Sequence, residues 1–487
     1  MDWAEGYPAA TDYTTGYFRQ LNPVFARFVL TVAGLEARPI RTACELGYGQ
    51  GVSVAMHQAA SGASWWGTDF MPGQAAFAQA LAGPEAKLAE QGFAEFCLRD
   101  DLPDFDFVCA HGIWSWISAE NRAVIVDFLR RKLKPGGVFF VSYNTDVGWA
   151  GLRPYRALMV QHVETMSPPT LDPVAAIRAA LPFMKDVFDA DSVYAAQNPR
   201  VPSRLEQLTR SLNVYDTHEY LGHHWNPMSV GDVADELAGA KLSYGCGARL
   251  LDQVPGLAML PDQQAALNAI PDPMMREVAR DMVCGTPFRR DYWIKGPRRL
   301  DLYARATALD ALRVVLVEPV TMVDHVRAET HVGGIDLPLE RFKPVLAALA
   351  DHRPHDLASL AVELAGQGMG PEDTLSAVLV LVEVGAVQPA HGDDAAITAA
   401  VEGSQALNER ILAGSYGHGA VGHLANPATG GATEVPRLQQ LLVRGEAEAD
   451  PAGWAAGMAG VERMAAEAAA ARLSGGRRAV LTAQGVL

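Results

Sequence analysis

From residue 20 the apolar positions switch repeatedly between a helical and an extended period. "QLNPVFARFVLTVAGL" (20–35) recurs at helical spacing and stops at Gly34. "IRTACELG" (40–47) is short, β-rich and closed by glycine, and "GVSVAMHQAA" (51–60) restarts as a helix. "SWWGTDF" (64–70) is a second short strand ending on Asp69, with a helix after it through Leu81. "AKLAEQ" (86–91) is a poor third strand and "FDFVCAHG" (105–112) a clear fourth. "AENRAVIVDFLRRKLKPGG" (119–137) is an amphipathic helix stopped by Pro135-Gly136-Gly137, and "VFFVSYN" (138–144) is a fifth strand. Strands alternating with helices at this rhythm predict a parallel α/β sheet.

After Trp149 the pattern is helical, with 3.6-residue periodicity around 171–190, 200–225 and 229–242. Residues 243–330 read as mixed, with "RRDYWIKG" (289–296) and "LRVVLVEP" (312–319) as strand candidates. From Leu337 three short helices and a terminal strand, ending near "GAVQP", predict a winged-helix-like unit. Residues 413–433 read as a glycine-rich loop, and 450–474 as an alanine-rich helix. No internal repeat is found.

Composition narrows the chemistry. The chain has 487 residues, enough for about three domains at roughly 100–200 residues each. Acids exceed bases by 56 to 40, a net charge of −16, which repels phosphate backbones and argues against a nucleic-acid partner. The same balance suits a basic or lysine-bearing partner. The N-terminal "MDWAEGYPAATDY" has no basic apolar run, so no signal peptide is expected. The longest apolar run of the C-terminal half, Leu375–Val382, is too short to span a bilayer. Cys44, Cys97, Cys109, Cys246 and Cys284 show no CxxC pair and read as reduced core residues of a cytoplasmic protein.

The first strand runs into "ACELGYGQG" (43–51), with Gly47, Gly49 and Gly51 on alternate positions and Glu45 ahead of them. Such a turn lets a cofactor approach the backbone. Dinucleotides favour G-x-G-x-x-G, whereas the spacing here is G-x-G-x-G. An acid just ahead of the loop would repel a pyrophosphate and suits the amine side of S-adenosylmethionine. Asp69 at the tip of the second strand can accept hydrogen bonds from ribose hydroxyls, a role either cofactor needs. At the end of the third strand, Glu90 and Gln91 can face an adenine amine.

Together with "LKPGGVFFVS" (133–142), this set resembles the class I methyltransferase fold, a Rossmann-like sheet. The likeness sharpens in "DYTTGYFRQLNP" (12–23), "AHGIWSWIS" (110–118) and "VSYNTDVGW" (141–149). "THEYLGHHWNPMSVGDVADELAGAKLSY" (217–244) and "FRRDYWIKG" (288–296) look like the methyltransferase regulatory domain, and "LANPATGG" (424–431) extends the resemblance loosely. Bacterial proteins with this pairing include lysine methyltransferases of surface proteins. The resemblance implies a catalytic α/β domain over 1–150, a mainly helical regulatory or substrate domain over 151–330, and a winged-helix-like unit over 331–487. A homodimer contact is a further role open to the middle unit. The implied cofactor is S-adenosylmethionine, held by Glu45, Gly47, Tyr48, Gly49, Gly51, Asp69, Phe70, Glu90, Gln91 and His111. The implied acceptor is a protein lysine. The rivals are an O- or N-methyltransferase of a small molecule or cell-surface glycan, and a non-catalytic protein that binds the cofactor.

Tyr13, Tyr17, His111, Trp114, Trp116 and Asn144 are the candidate catalytic residues. Tyr13 and Tyr17, four apart, would share one face of an N-terminal helix folded over the cofactor. Trp114 and Trp116 follow the fourth strand, and in an extended run they alternate faces, so one of them would face the site. Aromatic faces attract a cation and exclude water. His111 and Asn144 close the fourth and fifth strands, at the edge where ligands bind in this architecture. In "HEYLGHH" (218–224) two histidines five residues apart stand about 140° apart on a helix, which is no zincin spacing, so no metal is expected.

Overall fold

The computed structural model describes residues 15–487, apart from 169, 255, 332, 416 and 418–420. A seven-stranded sheet organises the first 300 residues: β1 (Thr42–Leu46), β2 (Ser64–Asp69), β3 (Lys87–Glu90), β4 (Phe105–Ala110), β5 (Leu133–Asn144), β6 (Leu242–Gly247) and β7 (Phe288–Lys295). The strand order is β3-β2-β1-β4-β5-β7-β6. The first five are parallel to one another, and β7 runs antiparallel between β5 and β6. The expected parallel sheet is present; β7 is the strand expected in "RRDYWIKG", and with β6, which was not expected, it adds two strands from the middle unit to that sheet. Chain reversal after β1 leads to β2 on one side, while β4 lies on the other. That reversal of order opens a crevice at the carboxyl ends of β1 and β4, the ligand position of doubly wound sheets.

Alternation along the strands divides the core. Ala43, Phe107, Cys109, Phe140 and Tyr292 pack beneath α1 (Pro23–Val32), α2 (Val52–Ala60) and α3 (Pro72–Ala82). Cys44, Val108, Phe139, Val141 and Trp293 face the opposite layer, which includes α4 (Phe93–Cys97) and α5 (Ala119–Lys132). Asn22 starts α1 as an N-cap, its side chain accepting from the Val24 N–H at 2.8 Å. The amphipathic segment leaves its helix at Lys132, and "LKPGG" already lies in β5.

A helical unit with its own core around Tyr155, Ile177, Met184, Leu205 and Tyr220 follows β5. Its expected 200–225 helix is broken into Arg200–Ser211 and Val214–Leu221. Further on, Arg313–Leu316, His355–Asp356 and Val387–Ala390 form a three-stranded antiparallel sheet with helices Lys343–Ala348, Leu357–Ala365 and Pro371–Glu383, the winged-helix-like arrangement. The expected glycine-rich loop contains a β-hairpin, His423–Asn426 with Gly431–Glu434. Asn408 fixes it, donating to Ala425 O at 2.9 Å and accepting from Ala425 N–H at 2.7 Å. No helix among the described residues is long and apolar enough to cross a membrane.

Candidate functional site

The glycine turn joins β1 to α2. Gly47, Gly49 and Gly51 all take left-handed backbone angles, φ +72°, +56° and +65°. A side chain at these positions costs conformational energy. Space is also short: a Cβ on Gly47 would lie 2.7 Å from Ile113 Cγ2, and one on Gly51 2.5 Å from Ala78 Cβ. The Gly47 N–H donates to Thr68 O at 2.8 Å, and the Gly49 N–H to Asp69 Oδ2 at 2.8 Å. Asp69 Oδ1 accepts from the Met71 N–H at 3.0 Å. The Asp69 carboxylate therefore braces the turn, and each oxygen keeps a lone pair for a further donor. Burial raises Asp69 to about 6 against the lowering effect of these bonds.

Glu45 lies on β1 between Gly67 of β2 and Cys109 of β4, and is only 3% exposed. Its Oε2 has no hydrogen-bond partner among the described residues. Burial, reinforced by the Asp69 carboxylate, pushes Glu45 up to about 8. A buried orphan acid beside a backbone turn calls for a cationic partner.

Tyr48 turns away from the crevice. Its ring occupies the space beside Gly67, where a Cβ would lie 2.9 Å from Tyr48 Cδ1, and its hydroxyl donates to Ala89 O at 2.9 Å. Glu90 is exposed at the end of β3. The Gln91 amide is engaged at the surface, donating to Glu95 Oε1 at 2.6 Å and accepting from Arg99 at 3.4 Å. Phe70 is half-buried directly after Asp69.

On the far side of the crevice, His111 Nδ1 lies 2.8 Å from Ser142 Oγ, which also accepts the Gly112 N–H at 2.8 Å. Phe18 packs on the imidazole with ring centroids 3.9 Å apart, and Phe288 lies at 6.5 Å. Burial, with the Arg290 guanidinium, brings His111 down to about 3, so it stays neutral at physiological pH. Trp114 and Trp116 lie in a 3₁₀ turn rather than an extended run. Trp114 is 0% exposed and packs on Phe139 in the core, so it forms no wall of the crevice. Trp116 is half-buried and lies 6.5 Å from Trp225, which meets Trp149 at 5.2 Å. Asn144 closes β5; its N–H donates to Ser115 Oγ at 2.9 Å and its carbonyl accepts from the Met228 N–H at 3.0 Å. With the Asn226 N–H on Ser115 O at 2.8 Å, residues 222–228 are pinned across the ends of β4 and β5.

Tyr17 is not on an aromatic helix face. It points to the C-terminal hairpin, where its hydroxyl accepts the Ala432 N–H at 3.1 Å. Tyr13 lies outside the described residues. Sequence reasoning missed Phe18, Ser142, Trp225 and Phe288. The adjacent aromatic pair in "GYFRQ" was the one signal for Phe18. Among the described residues no group of three or more His, Cys, Asp or Glu is placed to hold a metal ion.

Residues 44–141 match the family model described as a methyltransferase domain, and residues 213–295 the one described as a predicted methyltransferase regulatory domain. The protein sll1526 of Synechocystis sp. is 32% identical over 451 residues, 91% of this chain and 88% of that protein. The chain belongs to the class I S-adenosylmethionine-dependent methyltransferases that carry a regulatory domain. RP028 of Rickettsia prowazekii is 27% identical over 211 residues, 42% of this methyltransferase and 83% of that relative. The fold is shared with PKMT2 from Rickettsia typhi, solved in complex with AdoHcy, at a TM-score of 0.59, 20% identity and 77% coverage of each chain. The residues present suit the family's cofactor. Unpaired Glu45 matches its ammonium, and Asp69 and the bare turn match a ribose held close to the backbone.

Proposed function

We propose that this methyltransferase transfers methyl groups to protein lysine side chains, with its cofactor held between the Glu45–Gly51 turn and His111. The observation that carries the choice of an amine is the state of His111. A hydroxyl acceptor needs a base with a pKa near the working pH. His111, brought down to about 3 and held through Nδ1 against Ser142 Oγ at 2.8 Å, is a weak proton acceptor. A neutral amine brings its own lone pair.

S-adenosylmethionine supplies an already activated methyl group on a sulfonium. What remains for the chain is orientation, exclusion of water and delivery of an unprotonated amine. A free lysine titrates near 10.4, and an aromatic, water-poor channel lowers that value by desolvation. Trp116, in the 3₁₀ turn after β4, is our candidate channel wall; Trp225, on the pinned segment, backs it at 6.5 Å and carries the Arg156 guanidinium 4.6 Å from its own ring. The division at about 150 serves this reading functionally, whereas the one at 330 falls inside a paired hairpin, and Arg313–Leu316 belongs with the C-terminal sheet. The middle part covers the acceptor side, even though its β6 and β7 complete the catalytic sheet. The resemblance to bacterial surface-protein lysine methyltransferases and the fold shared with PKMT2 support the same acceptor.

The rate is expected to rise from pH 7 toward pH 9, with no inflection near 6.5. Trp116→Ala should lower kcat/KM for the acceptor by about 10–100-fold and leave the affinity for S-adenosylhomocysteine within about twofold, an effect of one desolvating wall. His111→Asn should cost about tenfold or less. A loss of about 10²–10⁴-fold would mark it as a general base and favour an oxygen acceptor instead.

A further inference from the structure

Residues 17–22 form a strap between the crevice and the C-terminal unit. Three of them hold that unit. Besides its bond from Ala432, the Tyr17 hydroxyl lies 3.3 Å from His57 Nε2 on α2. The Arg19 guanidinium donates to the carbonyls of Val382 at 2.7 Å and Glu383 at 3.1 Å, and pairs with the Glu383 carboxylate at 3.3 Å. The Asn22 amide donates to Thr429 O at 3.0 Å. Phe18, between them, serves the crevice. Its N–H donates to Ser53 Oγ at 2.9 Å, in the first turn of α2 just past Gly51, and its ring lies on His111. The glycine turn and His111 are opposite sides of the cofactor site, so Phe18 bridges them. The hairpin that holds Tyr17 lies outside both matched domains.

We propose that Tyr17 is a positioning residue through which the C-terminal hairpin sets Phe18 as the cap of the cofactor site, so that the C-terminal unit controls cofactor affinity. The proposal rests on the location of the cofactor site and is independent of the acceptor. Tyr17→Phe removes only the hydroxyl, and with it the bonds to Ala432 and His57. Gly431→Ala acts from the hairpin side, because its methyl would collide with Tyr17 Oη and Asn22 Nδ2. Phe18→Ala removes the cap itself.

The test is calorimetric titration of S-adenosylhomocysteine into the full chain and each variant, with steady-state kinetics and thermal melts in parallel. Tyr17→Phe should raise Kd for S-adenosylhomocysteine and KM for S-adenosylmethionine about fivefold to tenfold, with kcat within about twofold and Tm nearly unchanged. Adding Tyr17→Phe to Phe18→Ala should produce no further loss, since both act through one contact. Gly431→Ala, if it folds, should reproduce the shift; if it does not fold, the other two variants decide. An unchanged Kd in Tyr17→Phe, or fully additive losses in the double variant, overturns the proposal.

Discussion

Gly47→Val is expected to abolish measurable cofactor binding, raising Kd for S-adenosylhomocysteine by at least about 100-fold, or more than about 2.7 kcal/mol. Two physical effects combine. A non-glycine residue in the left-handed region costs roughly 1–2 kcal/mol, more when β-branched, and Gly47 sits at φ +72°. The new Cβ would also lie 2.7 Å from Ile113 Cγ2, and Ile113 belongs to the turn that follows His111. Relief of that collision pushes apart the two sides of the crevice. The sheet beneath should survive, since β1 and β2 pair along the five residues preceding the turn. Calorimetry reads the binding, and a thermal melt confirms a cooperative fold at a lower Tm. Parent-like affinity in a folded Gly47→Val protein would mean that the cofactor lies elsewhere.

Glu45→Gln should weaken binding of the same ligand by about 10–100-fold at pH 8 and remove its pH dependence. In the ligand-free protein Glu45 titrates at about 8, because burial and Asp69 disfavour its charge. Pairing with an ammonium requires the charged form. Parent affinity should therefore climb about tenfold per pH unit from pH 6 to about 8, with proton release on binding, and fall again where the ligand amine loses its proton. Stability without ligand runs the other way. The folded pKa lies above the unfolded one, so the unfolded chain binds fewer protons between about 4.5 and 8, and stability falls as pH rises through that window. Glu45→Gln should flatten that fall. A parent protein whose affinity is constant from pH 6 to 8 would remove Glu45 from the ammonium site.

The α/β rhythm of residues 40–144 was legible because each strand and helix carries its own period, and because the turn glycines mark left-handed backbone. The membership of β6 and β7 in the same sheet was not. "RRDYWIKG" declares a strand, but its partners are β5 and Leu242–Gly247, and pairing across 40 or more residues leaves no local pattern. Trp114 and Trp116 were assigned to a site by their place after β4, their aromatic chemistry and the alternation of an extended run. A 3₁₀ turn, which periodicity over so short a run does not reveal, puts one in the core and the other toward Trp225. Tyr48 sat in the right turn, yet its hydroxyl reaches Ala89 because Gly67 leaves room for the ring. A glycine inside a strand was the signal for that close approach. Tyr17 and Phe18 are neighbours in sequence with different partners, one on the hairpin and one on His111. Only the position of a segment some 400 residues away separates their roles.

The acceptor is tested most directly by incubating the purified protein with S-adenosylmethionine carrying a deuterated methyl group, together with cell-surface proteins, glycans and a whole lysate. Tandem mass spectrometry then assigns the atom that receives the label. Heavy methyl groups are expected on lysine ε-nitrogens, at a rate that rises toward pH 9. Label on sugar or carboxyl oxygens, with none on lysine, would contradict a lysine acceptor.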